Sequence, residues 1–179
     1  MRRWEGCGIA LLFICMNSDE ERLVIIRRRV SGLTQAALAK FVARARRASG
    51  VRGSVSVLVT SSRELQALNH RFCRKNKPTD VLSFPAMTGL APGFAGDVAI
   101  SAEIARQNAR RLGHTAAEEI RILVLHGLLH LAGYDHEVDN GEMEREEARL
   151  RKSLGLPAGL IERSVRPTGA TRGRKRASP

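Results

Sequence analysis

Residues 123–137 read "LVLHGLLHLAGYDHE" and carry three of the chain's five histidines. Apolar residues recur at helical spacing before and within this stretch, which predicts a helix that begins near Thr115 and continues through Leu131. Because His126 and His130 are four residues apart, their side chains lie on one face of this helix, about one turn apart.

The third histidine follows the end of the helix. Gly133 is suited to end the helix in a left-handed conformation, so that the chain can turn back and bring His136 to the same point as the other two rings. Three neutral imidazoles at about 2.0–2.1 Å from one ion leave a fourth position for water, as in catalytic zinc sites. The spacing therefore predicts one Zn²⁺ per chain, with His126, His130 and His136 as ligands. A metal-bound water, with its pKa lowered to roughly 7, is the expected catalytic group.

The histidine spacing is also that of the extended zinc-protease motif. In those enzymes a glutamate directly follows the first histidine and serves as the general base. This chain has Gly127 at that position, and a glycine can neither accept a proton from water nor orient it. The metal ligands of the motif are kept without its base, so peptide hydrolysis by the usual route is disfavoured.

Short apolar or alternating runs elsewhere predict strands, and amphipathic runs between them predict helices. The predicted strands cover 23–26, 54–60, 81–84 and 97–101, and the predicted helices begin after Thr34, Ser61, Ser101, Thr115 and Asp139. Residues 87–96, rich in glycine and proline, are predicted to form a loop. Because strands and helices do not strictly alternate, we expect an α+β fold. It would be a single domain in which helices flank a small mixed sheet of about four strands, with the metal site at a helix end and the following turn.

The charge of the chain favours a polyanionic partner. With 30 basic and 18 acidic residues among 179, the formal net charge is +12, which indicates nucleic acid first and an anionic membrane second. Aromatic residues make up only 4% of the chain, so binding by stacking of bases on aromatic side chains is disfavoured. The three cysteines form no paired motif, which disfavours a disulfide scaffold and fits a reducing compartment.

The two ends of the chain are predicted to lie outside the folded domain. Residues 1–15 combine a basic start with an apolar run too short to span a bilayer, and Met16 precedes a polar, domain-like opening. We interpret 1–15 as an N-terminal extension upstream of an alternative start, with a targeting segment as the alternative. Residues 163–179 are basic and contain no acidic residue, which predicts a disordered tail. The domain itself is predicted to cover 16–162.

Four motifs together resemble one known family. "HGLLHLAGYDHE" (126–137) closely resembles the H-G-x-L-H-L-x-G-Y-D-H signature of the YbeY family, bacterial zinc-dependent endoribonucleases of ribosomal RNA maturation. "LNHRF" (68–72), "KPTDVLSFP" (77–85) and "GDVAIS" (96–101) match in the same order, so the resemblance covers roughly residues 20–156. It implies zinc bound by His126, His130 and His136, and cleavage of single-stranded RNA in maturation of the small-subunit rRNA 3′ end and in ribosome quality control. It also implies ribosomal RNA and ribosomal subunits as partners, a cytoplasmic location, and neither a membrane nor a small organic cofactor.

The chain departs from the family at Cys73, where the resemblance implies a functionally important arginine. The neighbouring Arg74 and Arg71 are the residues that could supply this charge from a shifted position. Arg74, Lys75 and Lys77 are also the predicted phosphate contacts, because lysine and arginine dominate binding to nucleic-acid backbones. We do not assign the role of this arginine to Cys73. A role for Cys73 as a nucleophile or as a fourth metal ligand is disfavoured.

The chemistry of the site leaves alternatives open. Asp135 could orient a ligand ring or act as general base, and it could equally stabilise the turn. Either a water or the 2′-OH of the substrate could attack the phosphodiester. The leading interpretation is a metal-dependent endoribonuclease. A non-catalytic ribosome-assembly factor with a structural zinc is the second, and a zinc metalloprotease is the third.

Overall fold

A four-stranded mixed sheet forms the middle layer of the fold. The structure, a computed structural model, describes residues 23–87, 93–136 and 138–157. In chain order the elements are β1 (Val24–Ile26), α1 (Gln35–Ala48), β2 (Ser54–Thr60), α2 (Ser62–Cys73), β3 (Val81–Pro85), β4 (Phe94–Ser101), α3 (Ala102–Leu112), α4 (Ala116–Leu131) and α5 (Glu142–Leu154). The strand order is β1-β2-β4-β3, with β1, β2 and β4 parallel and β3 antiparallel to β4. The predicted α+β architecture with about four strands is therefore confirmed.

Helix α4 is the central helix of the domain. Ile120, Leu123 and Leu128 pack in the main core with the sheet and α1. On its other side, Leu125 and Leu129 pack against Met143 and Leu150 of α5. A helix that is apolar all round is buried on all sides, and this arrangement explains why the sequence between Ile120 and Leu129 is almost continuously aliphatic.

Gly127 sets the distance between α4 and the sheet. A Cβ atom at this position would lie 2.7 Å from Val98 Cγ1 on β4 and 2.9 Å from Ser83 Oγ on β3. The Ser83 hydroxyl also donates a hydrogen bond to the Gly127 carbonyl, at 3.2 Å. Only a residue without a side chain allows the helix to approach the two strands this closely.

The opposite face of the sheet is covered by α2. Leu65 of α2 packs there with Leu58 and Phe84, and the ring of Phe72 contacts that of Phe84 edge to face. Helix α2 ends at Cys73, and its C-cap residue Arg74 adopts a left-handed conformation with φ of 55°. The chain then runs through residues 74–80 to β3, so this connection reaches the edge of the sheet beside the end of α4.

Most of the predicted helix starts are found in the structure. The side chains of Thr34, Ser61, Ser101 and Thr115 each accept a backbone hydrogen bond at the first turn of a helix. Helix α5 begins later than predicted, with Gly141 rather than Asp139 as its N-cap, and the Asp139 carboxylate accepts from the backbone N–H groups of Gly141 and Met143, both at 2.8 Å. These caps satisfy N–H groups that a helix itself leaves without partners.

The predicted loop at 87–96 is wrong at its C-terminal end, because β4 begins at Phe94. Its first residues pair with β2 on one side, and Gly96 pairs with Pro85 of β3 on the other. Pairing on both sides outweighs the low strand propensity of glycine. Pro85 itself is the last residue of the edge strand β3 rather than the residue after it, a position where proline is tolerated.

The predicted extension at 1–15 and the predicted tail at 163–179 lie outside the described residues. Within the parts of the chain that the structure describes, no helix has the length and apolar character needed to cross a membrane.

Candidate metal centre

The three histidines of the predicted triad meet at the end of α4. His126 and His130 project from the last turns of the helix, and His136 follows the turn that Gly133 begins with φ of 98°. One ring nitrogen from each of the three side chains lies within 4.8 Å of the others. The Nε2 atoms of His126 and His130 are 3.2 Å apart. Two nitrogens bound to one zinc at 2.0–2.1 Å with tetrahedral angles would be about 3.3 Å apart, so the spacing of this pair fits such an ion.

The hydrogen-bond partners of the two helical histidines determine which nitrogen faces the centre. The Nδ1 atom of His126 is 2.9 Å from Glu147 Oε2, and that of His130 is 3.0 Å from the Tyr134 carbonyl oxygen. Both partners are acceptors, so each Nδ1 donates its hydrogen and each Nε2 keeps a lone pair when the ring is neutral. Two lone pairs that face each other at 3.2 Å repel, and a cation between them removes this repulsion. The donor set therefore fits a divalent metal ion.

The environment of His130 favours its neutral form. Burial, followed by the neighbouring His126 and His136 rings, lowers the pKa of His130 from 6.5 to about 4, although the Tyr134 carbonyl and Asp135 partly oppose this. At neutral pH the ring is thus unprotonated, which is the form that binds a metal.

A cavity of about 550 Å³ opens beside the triad. Its described walls come from the end of α2, the connection to β3, β3 itself and the turn after α4; they include Asn69, Cys73, Lys75, Thr79, Asp80, Ser83, Tyr134 and Asp135 with the three histidines. The cavity is large enough for a nucleotide-sized group, and His136 in its lining is exposed to solvent.

The predicted phosphate contacts are placed differently from one another. Lys75 lines the cavity, whereas Arg74 and Lys77 are exposed and are not among its described lining residues. Lys77 instead contributes its backbone carbonyl, which accepts a hydrogen bond from the buried Asn69 side chain at 2.8 Å. Cys73 lies in the cavity wall, so the cationic side chain that the family resemblance implies is absent from this position.

Asp135 also lines the cavity, directly before His136. Its backbone carbonyl accepts hydrogen bonds from Val138 and Asp139 at 3.1 and 2.9 Å, which closes the turn after α4. The residue therefore has a structural role through its backbone, and it is half-buried.

Two residues of the site were missed by the sequence analysis. Glu147 of α5, which accepts from His126, is 98% buried. Its position was readable in principle, because Met143, Glu147 and Leu150 follow helical spacing on the apolar face of α5. Asn69, which holds the connection after α2, lies in the quoted stretch LNHRF, but no periodicity singled it out.

A histidine triad that could hold a metal ion therefore lies beside an open cavity on an α+β domain, without the protease glutamate. Comparison with known proteins then gives the family. A family model described as Endoribonuclease YbeY matches residues 15–155, and the chain belongs to this family.

Individual relatives agree with the family match. The chain is 54% identical over 154 residues to the protein named Endoribonuclease YbeY of Koribacter versatilis, an alignment that covers 86% of this chain and 99% of the relative. It is 47% identical over 148 residues to the protein of the same name from Solibacter usitatus, with 83% and 98% covered. The solution structure of TM1509 from Thermotoga maritima is similar, with a TM-score of 0.51, 27% sequence identity, and coverage of 85% of this chain and 99% of that one.

Proposed function

We propose that this protein is a zinc-dependent endoribonuclease that cleaves single-stranded regions of ribosomal RNA. Its expected substrate is the 3′ end of the small-subunit rRNA, within ribosome maturation and quality control in the cytoplasm, and its expected partners are the ribosomal subunits. Membership of the YbeY family supports the reaction, and the net charge of +12 supports a nucleic-acid substrate. The single observation that carries the proposal is the pair of Nε2 atoms of His126 and His130, 3.2 Å apart at the open cavity.

His126, His130 and His136 are the residues that would hold the ion. When bound, zinc supplies Lewis acidity, which can polarise a phosphoryl oxygen or activate a water. The Glu147 carboxylate and the Tyr134 carbonyl hold two of the rings, so little reorientation is needed on binding.

The protein also contributes charges around the scissile phosphate. Lys75, in the cavity wall, is the residue we assign to neutralise a phosphate oxygen. Asp135 lies in the same wall, where its carboxylate can orient the attacking hydroxyl or accept its proton. Arg74 and Lys77, outside the cavity, would contact the RNA backbone on either side of the cleaved bond. We assign these functions to a catalytic unit of residues 16–162.

A second candidate function is favoured by Cys73. Because this residue stands in the cavity where the family resemblance implies an arginine, the charge available to stabilise a transition state is reduced. A ribosome-assembly factor that binds RNA without cleaving it would retain the metal and lack the activity. A metalloprotease has no such support, because any side chain at Gly127 would overlap Val98 and Ser83.

Parallel incubations with single-stranded RNA and with casein separate these functions. The zinc-loaded protein is compared with His130→Ala and with His70→Ala, a matched control for an exposed histidine on α2 outside the triad. We expect RNA cleavage in the wild type and in His70→Ala, and its loss in His130→Ala. Intact RNA together with retained binding to ribosomal subunits supports the assembly factor, and digestion of casein supports the protease.

Two further measurements define the chemistry. Metal analysis of the purified protein is expected to give one zinc per chain, and a variant that lacks all three ligand histidines is expected to give none. Cleavage of an oligonucleotide that carries 2′-deoxy sugars throughout would identify water as the nucleophile. Complete resistance of this oligonucleotide, with 2′,3′-cyclic phosphate ends on RNA products, would identify the 2′-OH.

A further inference from the structure

A buried arginine lies directly behind the carboxylate that contacts His126. The Nε atom of Arg151 is 2.9 Å from Glu147 Oε1, and both side chains are at most 3% exposed. The Nη1 group of Arg151 donates a hydrogen bond to the Pro157 carbonyl at 2.7 Å. The guanidinium is thus held between α5 and the chain segment that follows it.

The two oxygens of Glu147 have different partners. Oε1 lies against Arg151, and Oε2 lies 2.9 Å from His126 Nδ1. A carboxylate that is held at one oxygen cannot rotate without losing the arginine contact. The arginine therefore determines which way the other oxygen points, and that oxygen points at a ligand ring of the triad.

Stability alone gives no good reason for this arrangement. Transferring both charges out of water is costly, and apolar residues of similar size at such positions often stabilise a protein as well or better. Met143 and Leu150 show that this face of α5 otherwise packs with apolar side chains. A buried pair that contacts a ligand ring is better explained by what it does to that ring.

We propose that Arg151 is a positioning residue of the metal centre: it holds the Glu147 carboxylate so that His126 keeps its hydrogen on Nδ1 and presents Nε2 to the ion. This inference rests on the proposed metal-binding role of the triad. It extends the site to α5 and, through the Pro157 carbonyl, to the segment behind that helix.

The proposal makes an unusual prediction for two amide variants. In Glu147→Gln, Arg151 still needs an acceptor, so the glutamine turns its carbonyl to Arg151 and its NH₂ group to His126 Nδ1. An NH₂ group is a donor, which favours the ring hydrogen on Nε2 and so weakens metal binding. In Glu147→Gln/Arg151→Met, the glutamine is released and can turn its carbonyl to His126, which restores the hydrogen on Nδ1.

Zinc affinity, measured by competition with a chromophoric chelator, tests this prediction. Loss of an outer partner of a ligand typically lowers metal affinity by about 10–100-fold, and we expect a loss in that range for Arg151→Met and for Glu147→Gln. The double variant is expected to bind zinc at least about tenfold more tightly than Glu147→Gln. Arg149→Met, a matched change of an exposed arginine on α5, is expected to bind as the wild type does.

A spectroscopic measurement follows the ring directly. Long-range ¹H–¹⁵N correlation spectra of the metal-free protein at pH 8 report which nitrogen of His126 carries the hydrogen. We expect Nδ1–H in the wild type and in the double variant, and a shift toward Nε2–H in Glu147→Gln. Losses of affinity that simply add in the double variant, or an unchanged tautomer in Glu147→Gln, would overturn the proposal.

A folding defect and a loss of RNA cleavage can both be distinguished from a loss of the positioning role of Arg151. If Arg151→Met fails to fold, as judged by circular dichroism, the comparison between Glu147→Gln and the double variant decides alone, because the double variant buries no charge at either position. Zinc affinity and the tautomer are measured without RNA. If zinc affinity and the His126 tautomer depend on Arg151 as described but the wild type cleaves no RNA, the proposed function is refuted and the role of Arg151 stands.

Discussion

Replacement of Gly127 by alanine tests whether α4 lies as close to the sheet as the structure shows. The substitution adds one methyl group to the central helix, and this group would lie 2.7 Å from Val98 Cγ1 and 2.9 Å from Ser83 Oγ. Real Cβ atoms do not approach carbon atoms this closely, so the helix, the strands or both must move. We expect Gly127→Ala to destabilise the protein although alanine is the better helix former.

The expected change in the free energy of unfolding is the sum of two destabilising contributions and one stabilising contribution. Overpacking of a close-packed core costs about 1–3 kcal/mol. Displacement of Ser83 weakens its hydrogen bond to the Gly127 carbonyl, which contributes about 1 kcal/mol. The helix propensity of alanine returns about 1 kcal/mol relative to glycine. The net loss in the free energy of unfolding is therefore about 1–3 kcal/mol, or a few degrees in Tm for each kcal/mol at this chain length.

Urea unfolding of the metal-free protein is the appropriate assay, because zinc binding would add its own contribution to stability. Val98→Ala removes the two methyl groups closest to the new Cβ atom. We expect Gly127→Ala to cost at least about 1 kcal/mol less in the Val98→Ala background than in the wild type. Ser83→Ala serves as the control that isolates the hydrogen bond. An alanine variant as stable as the wild type, or an equal cost in both backgrounds, would refute the steric argument.

Three other changes test separate parts of the molecule. Burial, partly opposed by the Ser56 hydroxyl, raises the pKa of Asp97 from 3.8 to about 6. Between these two pH values the carboxyl is ionised in the unfolded chain but still protonated in the native state. Asp97 therefore lowers the free energy of unfolding as pH rises from about 4 to 6. Asp97→Asn should remove this pH dependence and should stabilise the protein by up to about 3 kcal/mol in urea unfolding at pH 7. Cys73→Arg places a cation in the cavity wall and should raise the rate of RNA cleavage, whereas Cys73→Ser should not; equal rates for the two would exclude a charge effect. Deletion of residues 163–179 removes six positive charges and should weaken RNA binding and reduce its salt dependence in filter-binding titrations, and unchanged affinity would leave this segment without a role in binding.

The convergence of the three histidines was largely predictable because its geometry is local. Helical spacing alone places His126 and His130 one turn apart, and a glycine with positive φ turns the chain back toward His136. Helix caps are local in the same sense, since a side chain and the N–H group it accepts from are two to four residues apart. The phosphate contacts were less predictable, because Arg74, Lys75 and Lys77 diverge within one irregular connection that no periodicity describes.

Contacts between distant segments follow from packing, and the sequence encodes them more weakly. The start of β4 at Phe94 depends on its neighbours in the sheet, which outweigh the glycines of its own sequence. The Glu147 contact with His126 joins residues 21 positions apart and exists only because α5 packs against α4.

The sequence of α5 nevertheless indicated these distant contacts, because two charged residues stand at positions where helical spacing predicts apolar ones. On α5, Met143, Leu150 and Leu154 define an apolar stripe, and helical spacing places Glu147 and Arg151 within that stripe rather than on the charged face. Charged residues at core positions of a helix are costly unless they are paired and hydrogen-bonded. Glu147 and Arg151, four residues apart, pair with each other. The second oxygen of Glu147 contacts a buried ring on the neighbouring helix, that of His126, which lies in the middle of an aliphatic run. The same reasoning that identified three histidines out of place in an apolar helix therefore also applies to two charges out of place in the helix that packs against it.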